Sequence, residues 1–200
     1  MKIITTDFHK YDANWWDKLY VSHTHQESDT ERNNHLDAQA IIGYGSVIDF
    51  GCGHGYFSKY VTGDYLGLDW SPEGIKKATE INPGKEFVVA DALTYDAGRQ
   101  FDYAVGFEIF EHLENPKLLV DNMLKHAPVA IFCFPKGDFS EITAKNDTDL
   151  LNNVGIHDHD YHYANYYRED ILQMFPNAEI IEKEIDFMVI VKRDVVDSTN

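Results

Sequence analysis

Cysteine is almost missing from these 200 residues: Cys52 and Cys133 are the only two. One lies inside a glycine-rich turn and the other inside an apolar run, so they read as buried thiols and not as a disulfide framework. No stretch of about eighteen apolar residues occurs, which removes the expectation of a membrane-spanning helix. The opening MKIITTDFHKYDANWW holds a lysine but no sustained apolar core, and does not read as a secretory signal. Together these absences point to a cytoplasmic protein. Positive charge is scarce too: 34 acidic residues stand against 17 lysines and arginines, a formal charge of −17. The basic residues are scattered and adjoin only at Lys76-Lys77 and Lys192-Arg193. Phosphate backbones are held by clustered positive surfaces. A long nucleic acid is therefore disfavoured as a partner and a small molecule expected. The oligomeric state has no signature in the sequence.

What remains is the composition of a folded globular chain, 44% hydrophobic and 14% aromatic, long enough for one domain over residues 1–200. Apolar runs alternate with helical segments. ERNNHLDAQAII reads as a helix that stops at Gly43, which makes residues 1–45 an N-terminal helical cap. SVIDF, DYLGLDW, EFVVA, FDYAVGF and VAIFCFP read as successive strands. Between them, a short helix is expected from about Tyr56 to Thr62, and others from Ser71-Pro72 and Asn115-Pro116. Residues 136–165 form a long polar interruption expected to be an active-site loop. REDILQMF is a last helix, and AEIIEKEI with DFMVIVKR form an antiparallel pair. The fold class is α/β: a doubly wound, mainly parallel sheet with an antiparallel final strand. Ligands of such sheets bind outside the carboxyl ends of the strands.

VIDFGCGHGYF places Gly51, Gly53 and Gly55 directly behind a strand. Such backbone freedom suits a turn that something approaches closely. A dinucleotide fingerprint needs its third glycine at position 56, where Tyr56 stands, so an NAD-dependent reductase is disfavoured. No lysine followed by serine or threonine closes the turn, so it is not a phosphate loop. Instead, VIDFGCGHG resembles the first motif of class I S-adenosylmethionine-dependent methyltransferases, whose fold is Rossmann-like. Asp69 follows Asp49 by twenty positions, where that family places an acid on the ribose hydroxyls; a carboxylate's two acceptor oxygens match a vicinal diol. Asp91 and Ala92 in VVADAL match the position near the adenine edge, and FDYAVGFEIFEHL matches the fourth-strand motif. The resemblance spans roughly residues 40–192. It implies S-adenosyl-L-methionine as cofactor, bound through Asp49, Gly51, Gly53, Gly55, Asp69, Asp91 and Ala92, with Trp70 on the adenine face or in the core.

Methyl transfer from a sulfonium is an in-line displacement that asks the protein chiefly for alignment and exclusion of water. FEIFEHL puts Glu108, Glu111 and His112 where the methyl is expected, and GIHDHDYHY puts His157, His159 and His162 in the long loop. Glu108, Glu111, His112 and His159 are the candidates for catalysis or acceptor contact. The same four resemble the E-x-x-E-H and later histidine of small-RNA 2′-O-methyltransferases, which hold a metal; none is assigned here, but these residues would be its ligands. The reading is a transferase acting on a small-molecule acceptor. Its alternatives are a metal-dependent RNA 2′-O-methyltransferase and a non-catalytic cofactor-binding subunit. YDANWWDKLY carries an aromatic face suited to fold over the cofactor or to pack on the core.

Overall fold

The computed structural model describes residues 2–3, 13–22, 27–137 and 164–194. The strands are β1 (Lys2–Ile3), β2 (Val47–Phe50), β3 (Tyr65–Asp69), β4 (Glu86–Val89), β5 (Tyr103–Gly106), β6 (Val129–Pro135), β7 (Ala164–Asn165), β8 (Glu179–Glu182) and β9 (Asp186–Lys192). The helices are α1 (Ala13–Ser22), α2 (Asp29–Ile42), α3 (Pro72–Ile81), α4 (Pro116–His126) and α5 (Arg168–Met174). Seven strands form one sheet in the order β4-β3-β2-β5-β6-β9-β8, and β1 pairs with β7 apart from it. The first five run parallel; β9 lies antiparallel to both β6 and β8. This is the expected doubly wound sheet with its antiparallel finish.

The strands form where they do because both faces are covered. Every residue of β2 and β3 is buried, as is β6 from Ala130 onward, the mark of central parallel strands. Along β2, Ile48 and Phe50 enter one apolar cluster with Leu119 and Met123 of α4 and Ile171 of α5. Val47 enters the other, with Ala38 and Ile42 of α2. That alternation is the pleat expressed as packing. The outermost strands are less covered and carry Glu86, Glu179 and Glu182, charges that discourage pairing with another chain.

Local signals set the helix starts. Ser28 and Glu31 complete a capping box for α2, and the Ser71 hydroxyl accepts from Gly74 N–H at the head of α3. The segment expected to be helical from Tyr56 to Thr62 is instead a single 3-10 turn, Tyr56–Lys59. Lys85 Nζ donates to the carbonyls of Val61 and Gly63, and a Cβ at Gly63 would clash with the Gly45 carbonyl, so the chain turns closely into β3 before a helix develops.

Succession runs from β2 outward to β3 and β4, then returns to the other side of β2 with β5. The order therefore reverses between β2 and β5, and a crevice opens outside their carboxyl ends.

Candidate active site

Gly51, Gly53 and Gly55 all have positive φ, +75°, +50° and +69°, a region that costs other residues about 1 to 2 kcal/mol each. Gly51 N–H and Cys52 N–H both donate to the Leu68 carbonyl, at 2.8 and 2.9 Å. A Cβ at position 51 would sit 2.6 Å from Ile109 Cδ1, and one at position 53 would sit 3.0 Å from the Tyr20 hydroxyl. Gly55 serves packing: its Cβ would meet Ala78 and Phe87.

Asp69, at the end of β3, ties this turn to α3. Gly53 N–H donates to its Oδ2 and Ser71 N–H to its Oδ1, both at 2.9 Å. Burial raises its carboxyl above the usual range, against the opposing pull of those N–H bonds. One lone pair on each oxygen remains for a ligand. Asp91 is held likewise, accepting from Leu93 N–H at 2.8 Å. Asp69, Trp70, Asp91 and Ala92 line one side of a cavity of about 460 Å³. Gly51, Glu108, Ile109, His112 and Leu113 line the other. Trp70 is 44% exposed, so it belongs to this cavity and not to the core.

Helix α1 closes the crevice. Asp17 accepts from the Ser71 hydroxyl and from Glu73 N–H, an acid placed at the positive end of α3. So anchored, the helix brings Trp16 and Tyr20 into the cavity lining. The Trp16 ring lies 4.9 Å from His112 and the Tyr20 ring 4.7 Å from His54.

A smaller cavity of about 110 Å³ lies on the far side of Gly51, and both cavities share Tyr20, Gly51 and Glu108. Asp49 lines it from within β2, facing away from the larger cavity. The Tyr65 hydroxyl donates to Asp49 Oδ2 at 2.6 Å, but Oδ1 is buried without a hydrogen-bond partner. Burial pushes this carboxyl up to about 7 despite the Tyr65 bond, and the charge of Asp69 adds to the rise.

Glu108 follows β5 with φ +52°, among the described residues the one non-glycine in that region. Its side chain is exposed and lines both cavities. Burial, then repulsion from Glu111, holds its carboxyl well above the usual range. Glu111 is 1% exposed; it pairs with the Glu108 side chain and its own backbone N–H, and burial outweighs both and raises its carboxyl. His112 Nε2 lies 3.9 Å from Glu111 Oε1. The short turn carrying these residues is pinned by Phe110, whose ring stacks on Phe132 at 4.4 Å.

A family model described as a methyltransferase domain matches residues 20–179. The chain belongs to this methyltransferase family. Protein 235L of Invertebrate iridescent virus 6, named as a methyltransferase, is 27% identical to this domain over 166 residues, 76% of the chain and 60% of that protein. The ubiquinone biosynthesis O-methyltransferase of Psychrobacter arcticus is 26% identical over 144 residues, 59% of the chain and 56% of that enzyme. The chain thus spans somewhat more than half the length of these relatives. A solved structure of a SAM-dependent methyltransferase from Anabaena variabilis superposes with a TM-score of 0.66 at 18% identity, covering 97% of this chain and 98% of that one.

Within the methyltransferase domain, Gly51, Asp69, Trp70, Asp91, Ala92, Glu108 and His112 converge on the larger cavity, while Asp49, Gly51, Gly53 and Glu108 share the smaller. Gly55 and Glu111 line neither. His159, with His157 and His162, lies outside the described residues. Among the described residues no group of three or more His, Cys, Asp or Glu is arranged to hold a metal ion. Sequence reasoning missed Glu31 and His35 of α2 in the smaller cavity. It also missed Asp186 of β9, one of the charges that raise Glu108. Both positions reach the site through tertiary packing: Asn34 Nδ2 donates to Asp186 Oδ2 at 2.7 Å. No local motif marks them as part of the site; locally Glu31 reads only as the partner of Ser28 in the α2 capping box.

Proposed function

We propose that this domain binds S-adenosyl-L-methionine and transfers its methyl group to a small-molecule acceptor. The observation that carries the reading is a two-part crevice at the switch point, joined at Gly51, with an unsatisfied buried acceptor, Asp49 Oδ1, in its smaller part. The cofactor is itself two-part, a nucleoside joined to an amino acid. A buried acceptor without a donor is costly, and a ligand ammonium would satisfy it. In the larger part, Asp69 would take the ribose hydroxyls, and Ala92, Leu113 and Trp70 would enclose the base beside Asp91. The positive-φ glycines leave room for the chain of the ligand to pass close to the backbone.

When bound, the cofactor supplies an activated methyl group on sulfur. The residues of this chain would do the rest: Tyr20 and Trp16 cover the crevice against water, Gly51 sets the depth of the ligand, and Glu108 and His112 face the acceptor. Displacement at carbon needs alignment above all, and Glu108 is positioned to take up the acceptor's proton. A single domain spanning the chain and a cytoplasmic location belong to the same reading; the two unpaired thiols support the location, and no described helix is long and apolar enough to cross a membrane.

The test is calorimetric titration with S-adenosylmethionine and S-adenosylhomocysteine, repeated with EDTA. Saturable binding of both at one site, unaffected by EDTA, is the expected result. Failure of both to bind would overturn the assignment. Turnover of a small-molecule panel with labelled methyl donor then separates an enzyme from a binding subunit, and EDTA-sensitive methylation of an RNA end would replace the small-molecule acceptor by RNA.

A further inference from the structure

Resting on that cofactor reading, the acceptor side of the crevice has a chemistry of its own. Glu108 stands where the two cavities meet. Glu111, Asp186 and Glu31 are the charges that bear on it. Asp186 is already engaged, accepting from Asn34, and the nearby cations are turned elsewhere: Lys183 Nζ lies 2.6 Å from Asp37 Oδ2, and Lys136 Nζ donates to Glu182 Oε1 at 3.0 Å. Glu111 is different. It is buried behind Glu108 and pairs with it carboxyl to carboxyl, with no cation between the two. Among the described residues, neither cavity lining contains a lysine or an arginine. Rings of Trp16, Tyr20 and Phe107 are part of the walls, beside the imidazoles of His35, His54 and His112, and aromatic faces attract cations.

We infer that the methyl acceptor is an amine that arrives as an ammonium ion and is held by Glu108 backed by Glu111. An anionic acceptor meets only like charge here. A hydroxyl acceptor offers Glu108 one donor and no charge, whereas an ammonium offers three donors and a full charge. An ammonium supplies charge and donors to Glu108, the member of the pair that lines the cavities. The step balances simply. The ammonium N–H proton passes to the Glu108 carboxylate, and the freed nitrogen lone pair forms the new N–C bond. The C–S bond breaks with its electron pair left on sulfur, turning a sulfonium into a neutral thioether.

The experiment compares matched probes on the protein saturated with S-adenosylhomocysteine: phenethylamine, phenethyl alcohol and phenylacetate, by calorimetry. Turnover with S-adenosylmethionine is then read by mass spectrometry of the product. The amine is expected to bind at least about tenfold more tightly than the alcohol, and the carboxylate more weakly still. Methyl is expected on nitrogen. E108Q and E111Q should each weaken amine binding at least about fivefold, and by more than they weaken S-adenosylhomocysteine binding. Equal or tighter binding of the alcohol or carboxylate, no binding of the amine, or methyl transferred to the alcohol overturns the proposal. Should S-adenosylhomocysteine itself fail to bind, the cofactor reading falls separately, and the same comparison on the unliganded protein decides the cation site by itself.

Discussion

On the β3 and β4 side of the switch point backbone N–H groups hold the carboxylates; on the β5 side two carboxyls are left to pair with each other. Asp69 and Asp91 each accept backbone N–H bonds that fix their direction, and the glycines beside them bear positive φ without strain. Glu108 holds a positive φ that its side chain makes costly, and Glu111 is buried with its carboxyl against that of Glu108. A settled arrangement suits a ligand that is always the same. Strain and raised carboxyls of the second kind concentrate at reacting centres in enzymes, in keeping with the acceptor side proposed above.

The sharpest way to break the contrast is at the turn. Gly51→Ala is expected to abolish measurable S-adenosylhomocysteine binding, because its Cβ meets Ile109 at 2.6 Å in the joint between the two cavities. It should also destabilise the fold by about 1 to 3 kcal/mol, read by urea unfolding. Gly55→Ala, equally strained but outside both linings, should lose similar stability while the folded fraction still binds. If both behave alike, Gly51 has no special place.

Asp69→Asn comes next. One amide oxygen cannot replace two carboxylate oxygens that each hold a backbone N–H, and about a tenfold to hundredfold loss of S-adenosylhomocysteine affinity is expected by calorimetry. Retention of wild-type affinity would show that the ribose is read elsewhere.

A pH series tests the unsettled groups. The Asp49 and Glu111 carboxyls are each raised to about 7, chiefly by burial. A raised folded-state value means that the folded protein keeps a proton the unfolded chain has released. Stability from that proton is present below the ordinary carboxylate range near 4 and is lost as pH rises to about 7, at up to about 1.4 kcal/mol per pH unit for each group. Urea unfolding between pH 5 and 8 should show this decline. D49N and E111Q should each flatten it, and unchanged slopes would contradict the burial argument.

The smallest effect is expected at the rim. Trp70→Ala removes a half-exposed ring from the larger cavity. About a threefold to tenfold weaker S-adenosylhomocysteine binding should follow, with little change in stability.

These two sides also differ in how far the sequence revealed them. Local chemistry announces Ser71-Pro72, the three glycines and the acids behind β2, β3 and β4, because caps, left-handed turns and strand ends are short-range events. The β5 side depends on contacts distant in sequence. Glu31 enters from α2 and Asp186 from β9, brought together through Asn34, and nothing adjacent to either residue in the chain marks it as part of the site. The left-handed backbone of Glu108 was illegible for a related reason: only a glycine advertises such a φ in advance, and here a glutamate is forced into it. The short 3-10 turn at Tyr56–Lys59 shows the same limit on a small scale, since Lys85 ends it from 24 and 22 positions away.

The double engagement of Asp69 has a consequence for how such a protein diversifies. One carboxylate shapes the glycine turn, starts α3 and faces the ligand, so any replacement is screened for folding and for recognition in a single stroke. That coupling freezes one wall of the crevice over evolutionary time. The wall built by Glu108 and by Glu31 and His35 of α2 has no comparable duty to the turn, so on the proposed function new acceptors could be explored there by successive single changes while the donor's seat stays intact.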